Sequence, residues 1–157
     1  MDAWVGLGAN LGERQPTLDA AIAALAALPD TRLVARSGLW ASPPHDATGP
    51  DYLNAVARLD TRLSAQALLA AMQSIEARFG RERPYPNAPR TLDLDLLLAG
   101  DAILVEPSLV VPHPRLHQRA FVLRPMAEID PDVVVPGHGP VRQCLQRVAD
   151  QRCDPWP

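Results

Sequence analysis

The sequence predicts an α+β protein in which helices pack on an antiparallel sheet. Three observations support this fold class. The apolar residues follow the order strand, helix, strand, strand, helix, strand, and then further helix. The chain has 157 residues, a usual length for one domain with a substantial core. No internal repeat or change of composition marks a linker, so residues 1–157 are expected to form a single domain.

The first half of the chain alternates strands with one helix. Residues 4–8 have the apolar character of a first strand, and apolar residues at helical spacing over 18–28 predict the first helix. Residues 31–40 predict a second strand, which ends before a proline pair. Residues 52–63 alternate, with leucine and alanine on one face and mostly polar residues on the other. They predict a third strand with two useful faces.

The second half of the chain places one more strand between helical segments. Ser64 is the predicted N-cap of a second helix, and Gly80 is a typical residue just beyond a helix end. Residues 92–98 alternate again and predict a fourth strand. Residues 115–129 are mostly helical in character, and the apolar spacing over 141–148 predicts a terminal helix.

The composition of charged residues excludes several classes of protein. All 15 basic residues are arginine, so the chain has no lysine. This excludes the G-x-x-x-x-G-K-[ST] phosphate loop, the lysine of protein kinases and Schiff-base mechanisms. The net charge of −3 disfavours a nucleic-acid-binding protein. A bound anion is therefore expected to meet a local group of arginines.

The expected location of the protein is the reduced cytoplasm. The chain has two cysteines, and its start lacks the basic segment of a signal peptide. Its apolar runs are much shorter than the roughly 18 residues that a membrane span needs. We therefore expect no membrane association.

Asp93 and Asp95 form the most informative pair in the sequence. They are two positions apart on a predicted strand, so both side chains project from one face, with Cα atoms roughly 6.6 Å apart. Two such carboxylates can converge on cations spaced about 3.5–4 Å apart, as in two-metal phosphoryl-transfer sites. Magnesium suits this arrangement because it takes few protein ligands and leaves other positions to phosphate and water. The alternative is the solvated outer face of an amphipathic strand.

A group of arginines precedes the aspartate pair. Arg78, Arg81, Arg83 and Arg90 lie within 13 residues and have one acidic neighbour among them. Arginine binds phosphate oxygens bidentately, so this group can neutralise a triphosphate and stabilise developing charge. The alternative is an exposed charged loop.

Two other patterns are poor matches to known site chemistry. His113 and His117 lack the third protein ligand that a zinc site needs, so a phosphate contact or a structural role suits them better. The glycines of residues 6–12 do not have the spacing of a dinucleotide-binding turn. A strand-to-helix turn with a close backbone approach is the better interpretation of that segment.

Six segments, spread in order along nearly the whole chain, together resemble one enzyme family. They are Gly8-Ala9-Asn10-Leu11-Gly12, Ser42-Pro43-Pro44, Asp51-Tyr52-Leu53-Asn54, Pro89-Arg90-Thr91-Leu92-Asp93-Leu94-Asp95, Val111-Pro112-His113 and Arg119-Ala120-Phe121. The family that they resemble is 6-hydroxymethyl-7,8-dihydropterin pyrophosphokinase. The fourth segment is highly specific to it.

The resemblance implies a ferredoxin-like α+β fold of three-layer type, and transfer of pyrophosphate from MgATP to the pterin's hydroxymethyl group with release of AMP. ATP is then the co-substrate, and Asp93 and Asp95 would hold two magnesium ions. Three arginines are implied as catalytic residues beside these aspartates, namely Arg81, Arg83 and Arg90. The implied nucleotide-side residues are Gln73, Glu76, Arg81, Arg83, Leu96, His113 and Arg119. The implied pterin-side residues are Ser42, Pro43, His45, Tyr52, Asn54, Phe121 and Arg90.

The expected partners are these two small molecules, and the expected state is a monomer that binds neither nucleic acid nor membrane. Two alternatives stay open. One is another two-metal nucleotidyl or phosphoryl transferase with the same aspartate pair. The other is a non-catalytic ferredoxin-like binding module, including one for RNA, which the net negative charge and absence of lysine disfavour.

Overall fold

A computed structural model describes residues 1–10, 12–44, 49–80 and 92–157 of the chain. Four α-helices are present in the described part: α1 (Arg14–Ala26), α2 (Ala65–Gly80), α3 (Ala120–Ile129) and α4 (Val141–Gln146). The strands are β1 (Asp2–Ala9), β2 (Thr31–Arg36), β3 (Trp40–Ser42), β4 (Tyr52–Thr61), β5 (Asp93–Ala99), β6 (Leu104–Glu106), β7 (Leu109–Val111), β8 (Val134–Val135), β9 (Gly139–Pro140) and β10 (Asp154–Pro155).

The main sheet confirms the predicted α+β class, because all its described pairings are antiparallel. Its order is β10-β3-β4-β1-β5, and β2 also pairs with β4. The long strand β4 is central, since it pairs with β1 along one side and with β2 and β3 in succession along the other. The strand β5 lies at the edge of the sheet.

Apolar side chains on both faces of the sheet are buried against helices. The first cluster joins Ala55 and Ala57 of β4 to the apolar sides of α1 and α2. The second joins Val56 of the same strand to α3 and α4. Since neighbouring residues of β4 belong to different clusters, the strand has the two useful faces that its alternation predicts.

The second predicted strand, residues 31–40, is wrong as a single element, because the structure divides it into β2 and β3. Ser37 lies at the break. Its hydroxyl accepts a hydrogen bond from the Val56 backbone N–H at 2.9 Å, and its own N–H donates to the Val56 carbonyl at 2.9 Å. Glu128 of α3 accepts the N–H of the next residue, Gly38, at 2.7 Å. These long-range partners replace regular strand pairing at this point.

The predicted helices are present, but several ends differ. The Ser64 hydroxyl accepts the Ala67 N–H at 3.0 Å, which confirms the predicted cap of α2, whereas Gly80 belongs to the helix instead of following it. The predicted helical segment 115–129 is a short 3₁₀ helix, Leu116–Gln118, followed by α3. The terminal helix ends at Gln146, two residues earlier than predicted. None of the described helices is long and apolar enough to cross a membrane.

Candidate active site

One cavity of about 370 Å³ opens beside the ends of β1, β4 and β5 and the helix α2. Its size lies within the usual range for small-molecule sites. Eleven of the predicted site residues line it: Ser42, Pro43, Tyr52, Asn54, Gln73, Glu76, Asp93, Asp95, His113, Arg119 and Phe121. The fold thus gathers side chains that are up to 79 positions apart in the sequence.

The two aspartates lie opposite two glycines of the neighbouring strand. Asp93 is paired with Gly8, and Asp95 is paired with Gly6. Directly opposite side chains in a sheet normally contact each other, so a glycine removes one such contact at each position. A Cβ on Gly8 would meet nothing closer than Asn54 Oδ1 at 3.5 Å, whereas a Cβ on Gly6 would meet the Leu97 side chain at 3.3 Å. Both aspartates are partly exposed to the cavity. Both carboxylates therefore border the cavity.

The helix α2 supplies the two nucleotide-side residues Gln73 and Glu76, which are three positions apart and thus on one side of the helix. The Glu76 carboxylate accepts the backbone N–H of Leu94 at 3.0 Å. Leu94 lies between the two aspartates on the edge strand β5. Glu76 therefore holds in place the strand segment that presents both aspartates.

His113 and Arg119 both lie close to the Asp95 carboxylate. His113 Nε2 lies 3.8 Å from Asp95 Oδ1, and Arg119 Nη1 lies 4.0 Å from Asp95 Oδ2. The His113 backbone N–H donates to the Leu97 carbonyl at 2.9 Å, which ties the histidine to β5. The peptide bond between Val111 and Pro112, just before it, is cis.

The protonation of His113 follows from its surroundings. Burial lowers its pKa below the ordinary value, the Asp95 carboxylate opposes this, and Arg119 and Arg115 add to it. The imidazole is therefore mostly neutral at pH 7. Its Nδ1 accepts the Arg115 backbone N–H at 3.1 Å, so Nε2 carries the proton and offers a donor beside Asp95. Burial also lowers the pKa of Arg119, again opposed by Asp95, but a guanidinium stays charged.

The pterin-side candidates form a second wall of the cavity. Asn54 donates through Nδ2 to the Ser42 hydroxyl at 2.8 Å and to the Trp40 carbonyl at 3.1 Å, so its amide is fixed in orientation. Tyr52 is paired with Ser42 across β3 and β4. The Arg119 guanidinium lies 5.4 Å from the centre of the Phe121 ring. An amide and two aromatic rings thus line one wall.

Of the five other predicted site residues, Leu96 is the one that the structure describes, and it does not line this cavity. Leu96 is in the first apolar cluster, 4% exposed, because its position on β5 faces the helices α1 and α2. His45, Arg81, Arg83 and Arg90 lie outside the described residues. Among the residues that are described, no group of three or more histidine, cysteine, aspartate or glutamate side chains could hold a metal ion.

Several lining residues were missed by sequence reasoning. Gly6 and Gly8 belong to the segment interpreted as a close backbone approach, but their position opposite the aspartates required the strand register. Leu69 and Met72 of α2 also line the cavity. Met72 also belongs to the first apolar cluster, so its residue type does not distinguish a cavity wall from core.

Comparison with known proteins decides the family. Residues 4–131 match the family model described as 7,8-dihydro-6-hydroxymethylpterin-pyrophosphokinase (HPPK). The chain belongs to the HPPK family. It is therefore an enzyme, a diphosphokinase with ATP as co-substrate. The resemblance found in the sequence motifs is confirmed.

Relatives of the HPPK family match most of the chain. The chain is 48% identical over 134 residues to the 2-amino-4-hydroxy-6-hydroxymethyldihydropteridine pyrophosphokinase of Pseudomonas aeruginosa, covering 85% of this chain and 83% of the relative. It is 42% identical over 147 residues to the enzyme of the same name from Methylorubrum extorquens, covering 93% of this chain and 92% of that one.

Solved structures share the fold. A crystal structure of wild-type Plasmodium falciparum HPPK-DHPS aligns with a TM-score of 0.72 at 12% identity. The alignment covers 95% of this chain but 41% of that one, so this chain spans less than half of the Plasmodium protein. At such low identity the similarity shows the fold alone.

Proposed function

We propose that the described cavity is where this enzyme of folate biosynthesis transfers pyrophosphate from MgATP to the hydroxymethyl group of 6-hydroxymethyl-7,8-dihydropterin. One observation carries the proposal. A carboxylate pair, a cationic arginine and a histidine donor line the same cavity as an oriented amide and two aromatic rings. The first group suits a magnesium triphosphate, and the second suits a flat heterocycle with donor and acceptor edges.

The donor set at Asp93 and Asp95 fits magnesium. Both offer hard carboxylate oxygens beside open space, and the absence of a third acidic or histidine ligand among the described residues leaves room for water and phosphate oxygens. We assign two ions to this pair, as the family resemblance implies. When bound, they would neutralise the phosphate oxygens and stabilise charge that develops during transfer.

The transfer itself is a displacement at the β-phosphorus of ATP. The hydroxymethyl oxygen forms a bond to that phosphorus, the bond to the oxygen shared with the α-phosphorus breaks, and AMP leaves with that oxygen. The hydroxyl proton is released. The products are AMP, the pterin diphosphate and one proton.

The described residues contribute position and charge to this step. The His113 Nε2–H and the Arg119 guanidinium offer donors to phosphate oxygens next to Asp95. Glu76 fixes the backbone between the aspartates through the Leu94 N–H, so their geometry is set before substrates bind.

The pterin would lie against the wall formed by Ser42, Pro43, Tyr52, Asn54 and Phe121. Tyr52 and Phe121 provide apolar faces for stacking, and Asn54 has a fixed amide plane for the edge of the ring. The roles of Arg81, Arg83, Arg90 and His45 stay predictions from the sequence, with Arg81 and Arg83 acting on the transferring phosphate.

We also propose the topology, the domain organisation, the location and the oligomeric state of the protein. The order of the main strands, with β1 between β4 and β5, supports a ferredoxin-like, three-layer arrangement. The packing of Val141 and Cys144 of α4 against the same cluster as Trp4 of β1 supports a single domain over residues 1–157. A cytoplasmic monomer that binds neither nucleic acid nor membrane is consistent with the charge of −3 and the reduced cysteines.

Product analysis tests the proposal. The protein is incubated with MgATP and 6-hydroxymethyl-7,8-dihydropterin, and nucleotides and pterins are separated by chromatography. We expect AMP and pterin diphosphate in equal amounts. ADP with pterin monophosphate would assign the site to a phosphoryl transferase, and binding of RNA without turnover would favour the non-catalytic module.

A further inference from the structure

The last residues of the chain contact three of the segments that carry cavity residues. We call residues 151–156 the C-terminal strap. It lies beyond residue 131, where the match to the family model ends. None of its residues lines the cavity. Its contacts with β3, with Asp51 and with the turn around Arg119 nevertheless fall within three residues of side chains that do.

The first contact is with β3. Asp154 and Pro155 form β10 and pair with Ala41 and Trp40 of β3. The Trp156 backbone N–H extends this pairing by donating to the Leu39 carbonyl at 2.8 Å. The strand β3 is thus enclosed between β10 and β4, and it ends at the cavity residue Ser42.

The second contact fixes the residue before Tyr52. Arg152 binds the Asp51 carboxylate bidentately, with Nη2–Oδ1 at 2.9 Å and Nη1–Oδ2 at 3.2 Å. Arg14 donates to the Asp51 backbone carbonyl at 2.5 Å, and its guanidinium lies 5.3 Å from the centre of the Trp156 ring. Arg152 holds the pKa of Asp51 below its ordinary value, chiefly through these hydrogen bonds.

The third contact fixes the turn before Phe121. The Gln151 side chain accepts the Ala120 N–H at 2.9 Å and donates to the Gln118 carbonyl at 2.9 Å. These two backbone groups flank Arg119. One amide side chain therefore holds the backbone that presents both Arg119 and Phe121 to the cavity.

We propose that the C-terminal strap positions the pterin side of the cavity, with Arg152 and Gln151 as positioning residues. The inference rests on the proposed function of the cavity. Ser42, Tyr52 and Phe121 are on three separate segments of the chain, and the strap is bonded to each of these segments. Small errors in such positions lower affinity and rate strongly, because bound geometry decides the productive contacts.

Loss of a residue that positions the pterin side of the cavity should change the pterin KM, whereas loss of a residue that only stabilises the fold should change the melting temperature. An exposed ion pair contributes little to the free energy of unfolding. Loss of Arg152 should therefore leave the melting temperature nearly unchanged. It should instead release the Asp51 carboxylate and leave only the Arg14 bond to the Asp51 backbone, which changes the placement of Tyr52 and so affects the pterin and not ATP.

Arg142 provides a matched control. It is 52% exposed and pairs with Asp132, whereas Arg152 is 49% exposed and pairs with Asp51. Both are exposed arginines of the C-terminal region that pair with an aspartate outside the strap, and Arg152 also pairs with Asp154 of the strap at 3.3 Å. Arg142 is not bonded to a segment that lines the cavity. We expect Arg152→Ala to raise the KM for the pterin about fivefold with the KM for ATP changed less than about twofold. Arg142→Ala should change neither constant beyond about twofold.

A double-mutant cycle tests whether Arg152 affects the pterin KM through Asp51. In an Asp51→Ala background, Arg152→Ala should add less than about twofold to the pterin KM, because the carboxylate that it acts through is already lost. Arg152→Lys, which keeps the charge but not the planar fork, should recover part of the wild-type pterin affinity.

Several results would overturn the inference. They are a pterin KM for Arg152→Ala equal to that of Arg142→Ala, equal rises in both substrate constants, or effects that multiply in the double variant. All are measured by AMP formation, alongside pterin binding followed by fluorescence and the melting temperature. A wild-type protein that neither binds pterin nor forms AMP would overturn the proposed function, and this inference with it.

Discussion

One face of the main sheet has two ends with opposite properties. At the closed end, Trp4, Val56 and Leu97 belong to three adjacent strands, and each is at most 1% exposed. At the open end of the same face, the corresponding positions of these strands are Gly8, Asn54 and Asp93, which line the cavity. The two ends are separated by four residues along β1.

The difference arises mainly from the side chains, because the strands continue through both ends, with one register shift between β1 and β5 at Trp4 and Val5. Large apolar groups at the closed end pack against α3 and α4. At the open end, glycine removes side-chain volume and the polar groups line open space. Phe121 marks the boundary, since it packs against the closed cluster and also lines the cavity. A short change in residue type therefore turns a core face into a binding face.

The largest expected effect comes from the open end. Asp95→Asn should lower kcat at least about a thousandfold, because the charge that holds magnesium and opposes the phosphates is lost. The melting temperature should change little, since Asp95 is partly exposed. Steady-state AMP formation at saturating magnesium measures kcat.

Asp101→Asn is the control for this change, because Asp101 is an exposed carboxylate in the turn just after the same strand. It should retain wild-type turnover. A folded Asp95→Asn variant with near wild-type kcat would show that this aspartate does not hold magnesium.

Filling the open end should have the next largest effect. Gly8→Leu places new atoms in the cavity, and a Cβ at Gly8 would meet nothing closer than Asn54 Oδ1 at 3.5 Å, so the backbone can accept it. We expect kcat/KM for the pterin to fall about a hundredfold while the protein stays folded. Gly8→Ala, which makes ordinary contacts, should stay within about tenfold of wild type. Equal kinetics for Gly8→Leu and wild type would show that substrates do not use this end.

A substitution at the closed end should change the free energy of unfolding and leave the kinetic constants unchanged. Val56→Ala leaves a cavity in a fully buried site and should lower the free energy of unfolding by about 2 kcal/mol. The KM values of the folded enzyme should be unchanged. Asn54→Ala, two positions away on the same face, should instead raise the pterin KM. Denaturant unfolding with parallel kinetics compares the two variants, and a pterin KM raised equally in both would contradict the division.

The smallest expected effect is a pH dependence at the closed end. Burial raises the pKa of the Cys153 thiol to about 11, from an ordinary value of 9.0. The folded state thus keeps this proton when the unfolded chain releases it, so stability is full below pH 9 and falls as pH rises toward 11. The wild type should lose about 1 kcal/mol more than Cys153→Ala between pH 9 and pH 10. Parallel stability curves for the two proteins would contradict the raised pKa.

The difference between the closed end and the open end shows which features of the fold and the site could be predicted from the sequence. Alternation in β4 and β5 predicted both faces of the strands and placed Asp93 and Asp95 together, because period two is a local property. The roles assigned to Ser42 and Phe121 needed a family resemblance. No local pattern joins their segments, which the fold brings to one cavity from 79 residues apart.

Features set by distant partners could not be predicted. The break between β2 and β3 depends on bonds from Ser37 to Val56 and from Gly38 to Glu128. The strand β10 has two residues and pairs with a strand more than 100 positions earlier. Such short elements have no period of their own, so the C-terminal strap is visible only in the fold.

The most direct test of the central claim follows the β-phosphate of ATP at the open end. ATP labelled in the β-phosphate is mixed with excess enzyme, magnesium and 6-hydroxymethyl-7,8-dihydropterin in a single turnover. If the open end transfers pyrophosphate, the label moves to the pterin and the nucleotide product is unlabelled AMP. Label that remains in ADP, with a pterin carrying one phosphate, would contradict the account.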